Sequence, residues 1–187
     1  MRLAARPFIF LRHGETDWNR ERLCLGQADR PLTALGRRQA RAARSRLRGL
    51  GISAVFHSPL ARAAETAAIL SAGLGLAPIA EPGLIEACLG EKEGRPEEDP
   101  EDDFIARWFA GEDIPGAEPY SAFRRRIISG ANRCLLSAPD GLPLLVAHYA
   151  VYAALSDSLG YGTAGIDHCI PCRFEPDRAG WSVQPCG

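Results

Sequence analysis

Three short apolar runs, each ending on a polar residue, constrain this chain more than any other feature. Phe8–Leu11 gives way to Arg12-His13-Gly14, Ala54–Phe56 to His57-Ser58, and Leu142–Ala147 to His148. Runs of this length read as buried strands, whereas the stretches between them carry helical spacing. Strands alternating with helices predict an α/β fold: a three-layer α/β/α sandwich on a mainly parallel central sheet. In such sheets ligands collect beyond the carboxyl ends of the strands. His13, the His57-Ser58 turn and His148 are therefore expected along one edge.

The intervening segments fill in the layers. Glu15 to Pro31 reads as a polar loop. Thr33 reads as the N-cap of a helix running to Gly49. Arg37, Arg41, Arg44 and Arg48 share one of its faces, expected to be a solvated basic stripe, with a phosphate-binding stripe as the alternative. Leu35, Ala43, Leu47 and Leu50 lie nearer the opposite face. Pro59 opens an alanine-rich helix over Leu60–Leu74. Ile79 and Leu84-Ile85 read as short extended pieces. Residues 91–103 are acidic and proline-broken, and read as an exposed loop. Phe104–Ala110 and a segment from Pro119 to Ser137 read as helices, as does Tyr149–Leu159 after the His148 strand end. Two last strands, His168–Phe174 and Trp181–Gln184, join through the 177–180 turn.

Composition excludes several function classes. The chain has 187 residues, 46% hydrophobic and 24% charged, which suits a single domain over 1–187 with a proper core. Its net charge of -1 argues against a nucleic-acid partner. No run of about 18 apolar residues exists, so no membrane span is expected. MRLAARPFIFLRHG is expected to be a first strand and not a signal peptide. Six scattered cysteines, Cys24, Cys88, Cys134, Cys169, Cys172 and Cys186, suit free thiols in a cytoplasmic protein. Cys169 and Cys172 form a CxxC without a second ligand pair, so no metal site is expected. Lys92 is the one lysine among 22 basic residues. The arginine excess reads as a base-composition effect.

The strand ends sit within an ordered series of motifs. Arg12-His13-Gly14-Glu15-Thr16 comes first, followed by Asn19. Gly26-Gln27-Ala28-Asp29 then leads into Pro31-Leu32-Thr33-Ala34-Leu35-Gly36. Ser58-Pro59-Leu60-Ala61-Arg62 continues to Glu65-Thr66-Ala67. Leu84-Ile85-Glu86 follows, with Gly90 and Glu93-Gly94, and Leu144-Leu145-Val146-Ala147-His148 completes the set. Together, from residue 8 to residue 155, they resemble the histidine phosphatase superfamily, also called the phosphoglycerate mutase-like family.

The residue types suit phosphoryl transfer. A phosphomonoester dianion resists nucleophiles until its oxygens are neutralised and the nucleophile is held in line. Arg12 and Arg62 would be forked phosphate ligands, Asn19 a further donor, and His148 a second imidazole donor. His13 would be the nucleophile, with its other ring nitrogen held by an acceptor. The resemblance places the general acid at Glu86, with Glu15 and Glu93 as nearby competitors. Gln27 would touch the phosphate or shape its loop. Ser58 is expected to cap the following helix. His57 and His168 are left as structural. The family commonly has Gly after its second histidine. Here Tyr149 follows, its N–H still offered to phosphate and its ring expected to line the pocket.

The expected function is therefore a phosphatase that needs neither metal nor cofactor, acting on a small-molecule phosphomonoester through phospho-His13. A cofactor-dependent phosphoglycerate mutase is the second reading, and a non-catalytic phosphate-binding protein the third. A homodimer is compatible with the sequence.

Overall fold

The computed structural model describes residues 2–99, 102–163, 165–178 and 180–186. Positions 100 and 101 of the expected acidic loop and position 179 of the expected turn lie outside the described residues. Strands β1 (Phe8–Arg12), β2 (Ile52–His57), β3 (Pro78–Ala80) and β4 (Leu142–Ala147) pair in parallel. Strand β5 (Pro171–Asp177) runs antiparallel to β1, and β6 (Gly180–Pro185) antiparallel to β5. The order across the sheet is β3-β2-β4-β1-β5-β6.

Alternation along each strand sets the layers, because successive side chains point to opposite faces. Phe8, Phe10, Phe56 and Leu145 face one side, where α4 (Phe104–Phe109), α5 (Tyr120–Ser137) and α6 (Tyr149–Ser158) cover them. Ile9, Leu11, Val55, Leu144 and Val146 face the other, under α2 (Ala34–Leu47) and α3 (Ala61–Leu74). The three-layer α/β/α sandwich is thus the observed architecture. Both faces of β1 and β4 are buried, which is why these strands read as continuous apolar runs.

This connectivity fixes where the site lies. After β1 the chain crosses to the α2 face, and after the adjacent β4 it enters α6 on the opposite face. A crevice opens where neighbouring strands send their connections to opposite sides. His13 and His148 are the residues that follow β1 and β4.

The structure amends several expectations. Leu84 lies in a 3₁₀ turn, Pro82–Leu84, opened by Pro82 and capped by the Glu81 carboxylate, and not in an extended piece. Pro119 occupies the N-cap of α5, one residue before its first turn. A short helix, α1 (Asp17–Arg20), stands in the polar loop, closed by a capping box between Thr16 and Asn19. The arginine stripe is only partly solvated. Arg37 bonds the Glu65 carboxylate and Arg44 donates to the Ile69 carbonyl, so both tie α2 to α3. Leu35 is exposed. The acidic loop is anchored by buried Lys92, whose ammonium pairs with Asp99 and Asp102.

One contact links the α5 layer to the segment leading into Glu86. Gly83 and Gly130 approach so closely that a Cβ on Gly130 would lie 2.8 Å from the Gly83 Cα. An alanine in an ordinary helix interior is about 1 kcal/mol better than glycine. Here Gly130→Ala should instead cost about 1–3 kcal/mol through overpacking against backbone. Urea denaturation reads this directly, and a raised midpoint would contradict the close contact.

Candidate active site

His13 leaves β1 with its N–H donated to the Ala147 carbonyl of β4, at 3.0 Å. Its Nδ1 lies 2.8 Å from the Gly14 carbonyl oxygen. A carbonyl can only accept, so Nδ1 carries the proton and Nε2 keeps its lone pair. Arg62 Nε donates to that Nε2 at 3.2 Å. The neighbouring loop is packed hard: a Cβ on Gly14 would lie 2.5 Å from the Gly36 carbonyl oxygen at the start of α2. His13 is therefore held by backbone on both sides.

Arg62 enters from the first turn of α3 and is fully buried. Besides His13 it donates to the carbonyls of Ala28 (2.8 Å) and Gly26 (2.7 Å). These fix the loop that carries the Gly26-Gln27-Ala28-Asp29 motif. Burial pulls its guanidinium down to a pKa of about 10, so the group is a cation short of counter-charge. Arg12 donates to the Ile166 carbonyl at 3.1 Å, while its buried Nε has no protein partner. Its guanidinium lies over the Tyr149 ring, 5.4 Å from the centroid.

His148 is fully buried, its ring 5.2 Å from that of His13. Its Nε2 lies 2.7 Å from Ser58 Oγ, and its Nδ1 has no protein partner. Ser58 thus serves mainly the imidazole. It accepts only a long 3.4 Å bond from the Leu60 N–H, and α3 has no side-chain cap. Burial, and then the charge of Arg62, holds both His13 and His148 well below the usual imidazole range. Both are neutral at physiological pH.

Glu86 follows the Pro82–Leu84 turn and is buried. One carboxyl oxygen accepts from the Ala87 N–H (3.0 Å), the other from the Ala150 N–H (3.2 Å) at the start of α6. Its backbone is clamped as well. Arg126 of α5, paired with Glu118, donates to the Ile85 carbonyl at 2.8 Å, and Gln27 Nε2 donates to the Glu86 carbonyl at 3.0 Å. Burial raises the Glu86 pKa, opposed by the two N–H bonds and by Arg62 and Arg12. The competing carboxylates are engaged elsewhere. Glu93 accepts from the backbone N–H groups of Gln27 and Leu89, and Glu15 from the Thr33 hydroxyl.

Arg12, His13, Asn19, Arg62, Glu86 and Tyr149 all line one cavity of about 530 Å³. Asn19 uses its Oδ1 on Thr16, leaving its amide N–H groups as its donors toward the cavity. Gln27 does not line it. Its side chain is committed to the Glu86 carbonyl, so of its two expected roles the structure brings out loop shaping. His57 bonds the Ser58 carbonyl and does not line the cavity either.

His168 is the residue that sequence reasoning missed. It lines the cavity, its ring lies 5.5 Å from His13, and its Nδ1 donates to the His13 carbonyl at 2.8 Å. The available signal was topological. A strand antiparallel to β1 must begin at the edge where β1 ends. No group of three or more metal-ligating side chains occurs among the described residues, and no helix there is long and apolar enough to cross a membrane.

The same elements recur in known proteins. Residues 8–183 match the model of the histidine phosphatase superfamily (branch 1). A Yersinia pestis protein named "Probable phosphoglycerate mutase GpmB" is 36% identical over 95% of this chain and 90% of its own length. Its Yersinia enterocolitica counterpart is 38% identical over 81% and 74%. The structure of a mycobacterial glucosyl-3-phosphoglycerate phosphatase in complex with VO3 superposes with a TM-score of 0.84, at 28% identity over 97% of this chain and 98% of that one. This chain belongs to the histidine phosphatase superfamily and is an enzyme of its phosphatase or mutase type.

Proposed function

We propose that the protein is a phosphatase that hydrolyses a small phosphomonoester through a phosphohistidine on His13, without a metal. The observation that carries this reading is the state of His13. Its Nδ1–H is anchored on a carbonyl and its Nε2 lone pair lies beside the Arg62 guanidinium. A neutral imidazole so oriented becomes a nucleophile for an ester phosphorus once the Arg62 Nε–H passes from Nε2 to a phosphate oxygen.

Arg12 and Arg62 receive the phosphate oxygens, joined by Asn19 and the Tyr149 N–H. His148 is fully buried and is not part of the cavity lining; with Ser58 O–H donating to its Nε2, its partnerless Nδ1–H would serve as a further donor from beneath it. Two guanidiniums supply the charge neutralisation that a metal supplies elsewhere. The His13 Nε2 lone pair forms the N–P bond as the ester P–O bond breaks. Glu86 delivers its proton to the departing oxygen. A water then attacks phosphorus, Glu86 takes up its proton, and the N–P electron pair returns to Nε2. That the similar mycobacterial phosphatase was solved in complex with VO3, an oxyanion, supports this reading. Arg22, Glu97 and Asp167 are exposed residues of the cavity wall, so water has access to phospho-His13, which favours hydrolysis over transfer. The name of the Yersinia relatives makes phosphoglycerate mutase the second reading.

His13→Ala should abolish phosphate release from p-nitrophenyl phosphate. Wild-type protein quenched in alkali during turnover should carry phosphohistidine, and unchanged turnover in the variant would sink the mechanism. Chelator should have no effect. Interconversion of 2- and 3-phosphoglycerate stimulated by 2,3-bisphosphoglycerate, with little phosphate release, would establish the mutase instead. Phosphate binding with neither turnover nor phosphohistidine would establish the non-catalytic reading.

The pKa directions set a pH profile. Both imidazoles must be neutral, and burial keeps them so into mildly acidic solution. Glu86 must be protonated to act as acid, and burial keeps it so above the ordinary carboxyl range. The rate constant kcat/KM should peak at mildly acidic pH and fall as pH rises through the Glu86 pKa. Glu86→Gln should erase that alkaline limb. It should lower kcat/KM by about 10²–10⁴-fold for an alkyl phosphate and far less for p-nitrophenyl phosphate, whose leaving group needs little protonation. Equal losses for both esters would rule out proton donation by Glu86.

A further inference from the structure

We propose that the outer half of the cavity selects an uncharged, largely apolar leaving group and rejects substrates that carry a second anion. This inference rests on the phosphomonoesterase reading of the same site. It comes from what remains of the wall once the phosphate pole is set aside.

The cations are already engaged. Arg62 lies against two carbonyls and His13, and Arg12 lies beside it at the phosphate end. The third arginine of the wall, Arg22, pairs with Glu98. Among the described cavity-lining residues Arg22 is the one arginine outside the phosphate pole, and a second carboxylate or phosphate would have to compete with Glu98 for it. The polar groups left are acceptors. Glu97 and Asp167 sit on the rim, and both feel the charge of Arg12. His168 donates its Nδ1–H to the His13 carbonyl, so its Nε2 carries a lone pair. Burial and Arg12 push its pKa down to about 4, which keeps it neutral.

The rest of the outer wall is apolar. Leu25, Leu89, Ile105, Phe109 and Tyr149 form it, with Trp108 behind. Trp108 turns its indole N–H away to the Glu118 carbonyl, at 2.7 Å, so it contributes ring and not donor. The Tyr149 ring is held between the Arg12 guanidinium and Gly165, where a Cβ would lie 3.3 Å from the ring. An apolar leaving group gains by covering this wall. An added anion there meets two carboxylates and a lone pair, and like-charge juxtaposition is a strong means of rejection.

Phosphonates test binding separately from chemistry, because their C–P bond is not cleaved. Calorimetry with the full chain would compare benzylphosphonate, its 4-carboxy analogue and ethylphosphonate. Benzylphosphonate should bind at least about tenfold more tightly than either of the others, a gap of about 1.4 kcal/mol. In the Glu97→Gln/Asp167→Asn double variant the gap to the carboxy analogue should shrink to about threefold, while the gap to ethylphosphonate persists. Raised salt should shrink the first gap and spare the second. Equal affinities in the wild type, or an unchanged carboxylate gap in the double variant, would overturn the proposal. Selective binding without p-nitrophenyl phosphate turnover would uphold the selectivity and overturn hydrolysis. Turnover without selectivity would do the reverse.

Discussion

A buried guanidinium without a carboxylate in contact is the constraint around which this site is organised. Isolated charge is costly to remove from water unless it is hydrogen-bonded or paired. Arg62 meets that cost with two carbonyls of one loop and an imidazole at the end of β1. The result is a knot that joins α3, the loop after α1 and the end of β1. Its three hydrogen bonds use three of the five N–H donors and leave the charge. A dianion beside Arg62 and Arg12 would complete the electrostatics, which is what the proposed function asks of a phosphate pole present before any substrate arrives.

That surplus positive charge also explains how acid and nucleophile coexist. A carboxylate at Glu86 would partly neutralise the two arginines, and they do pull its pKa down. Burial outweighs them, so the net shift is upward, toward the protonated form. The same burial, reinforced by the arginines, strips the proton from both imidazoles. One buried, cationic environment therefore moves the carboxyl and imidazole pKa values in opposite directions, each toward the form its proposed role needs. Arrival of a phosphate dianion strengthens the trend for Glu86, since negative charge nearby favours the neutral carboxyl.

Much of this was legible because the site sits on regular elements. Arg12, His13 and His148 follow strands whose apolar runs are unmistakable, and Arg62 lies in the first turn of a helix that Pro59 announces. The layer assignment followed from the same runs. What escaped was set by contacts between segments far apart in sequence. Gln27 turned out to brace the Glu86 carbonyl, 59 residues away. Ser58 reads locally as a cap, but a histidine 90 residues away claims its hydroxyl. The arginine stripe of α2 looked solvated because its helical face says nothing about Glu65 and Ile69 on the helix alongside. His168 became visible only through sheet order, since a residue at the start of an expected strand carries no sign of which strand that one joins.

Tyr149 shows how a departure from a family pattern can be absorbed by geometry. Glycine after the second histidine would matter if the backbone there needed a positive φ or if a side chain would block the phosphate. Neither holds. Tyr149 is the first helical residue of α6 and is not among the residues with positive φ. Its ring projects onto the Arg12 guanidinium, in the attractive cation–π arrangement. The backbone at Tyr149 therefore keeps an ordinary helical conformation. On the phosphatase reading the ring adds an aromatic surface between the arginine that would hold phosphate and the apolar wall. There the substitution would bear on which esters are accepted more than on whether they are cleaved.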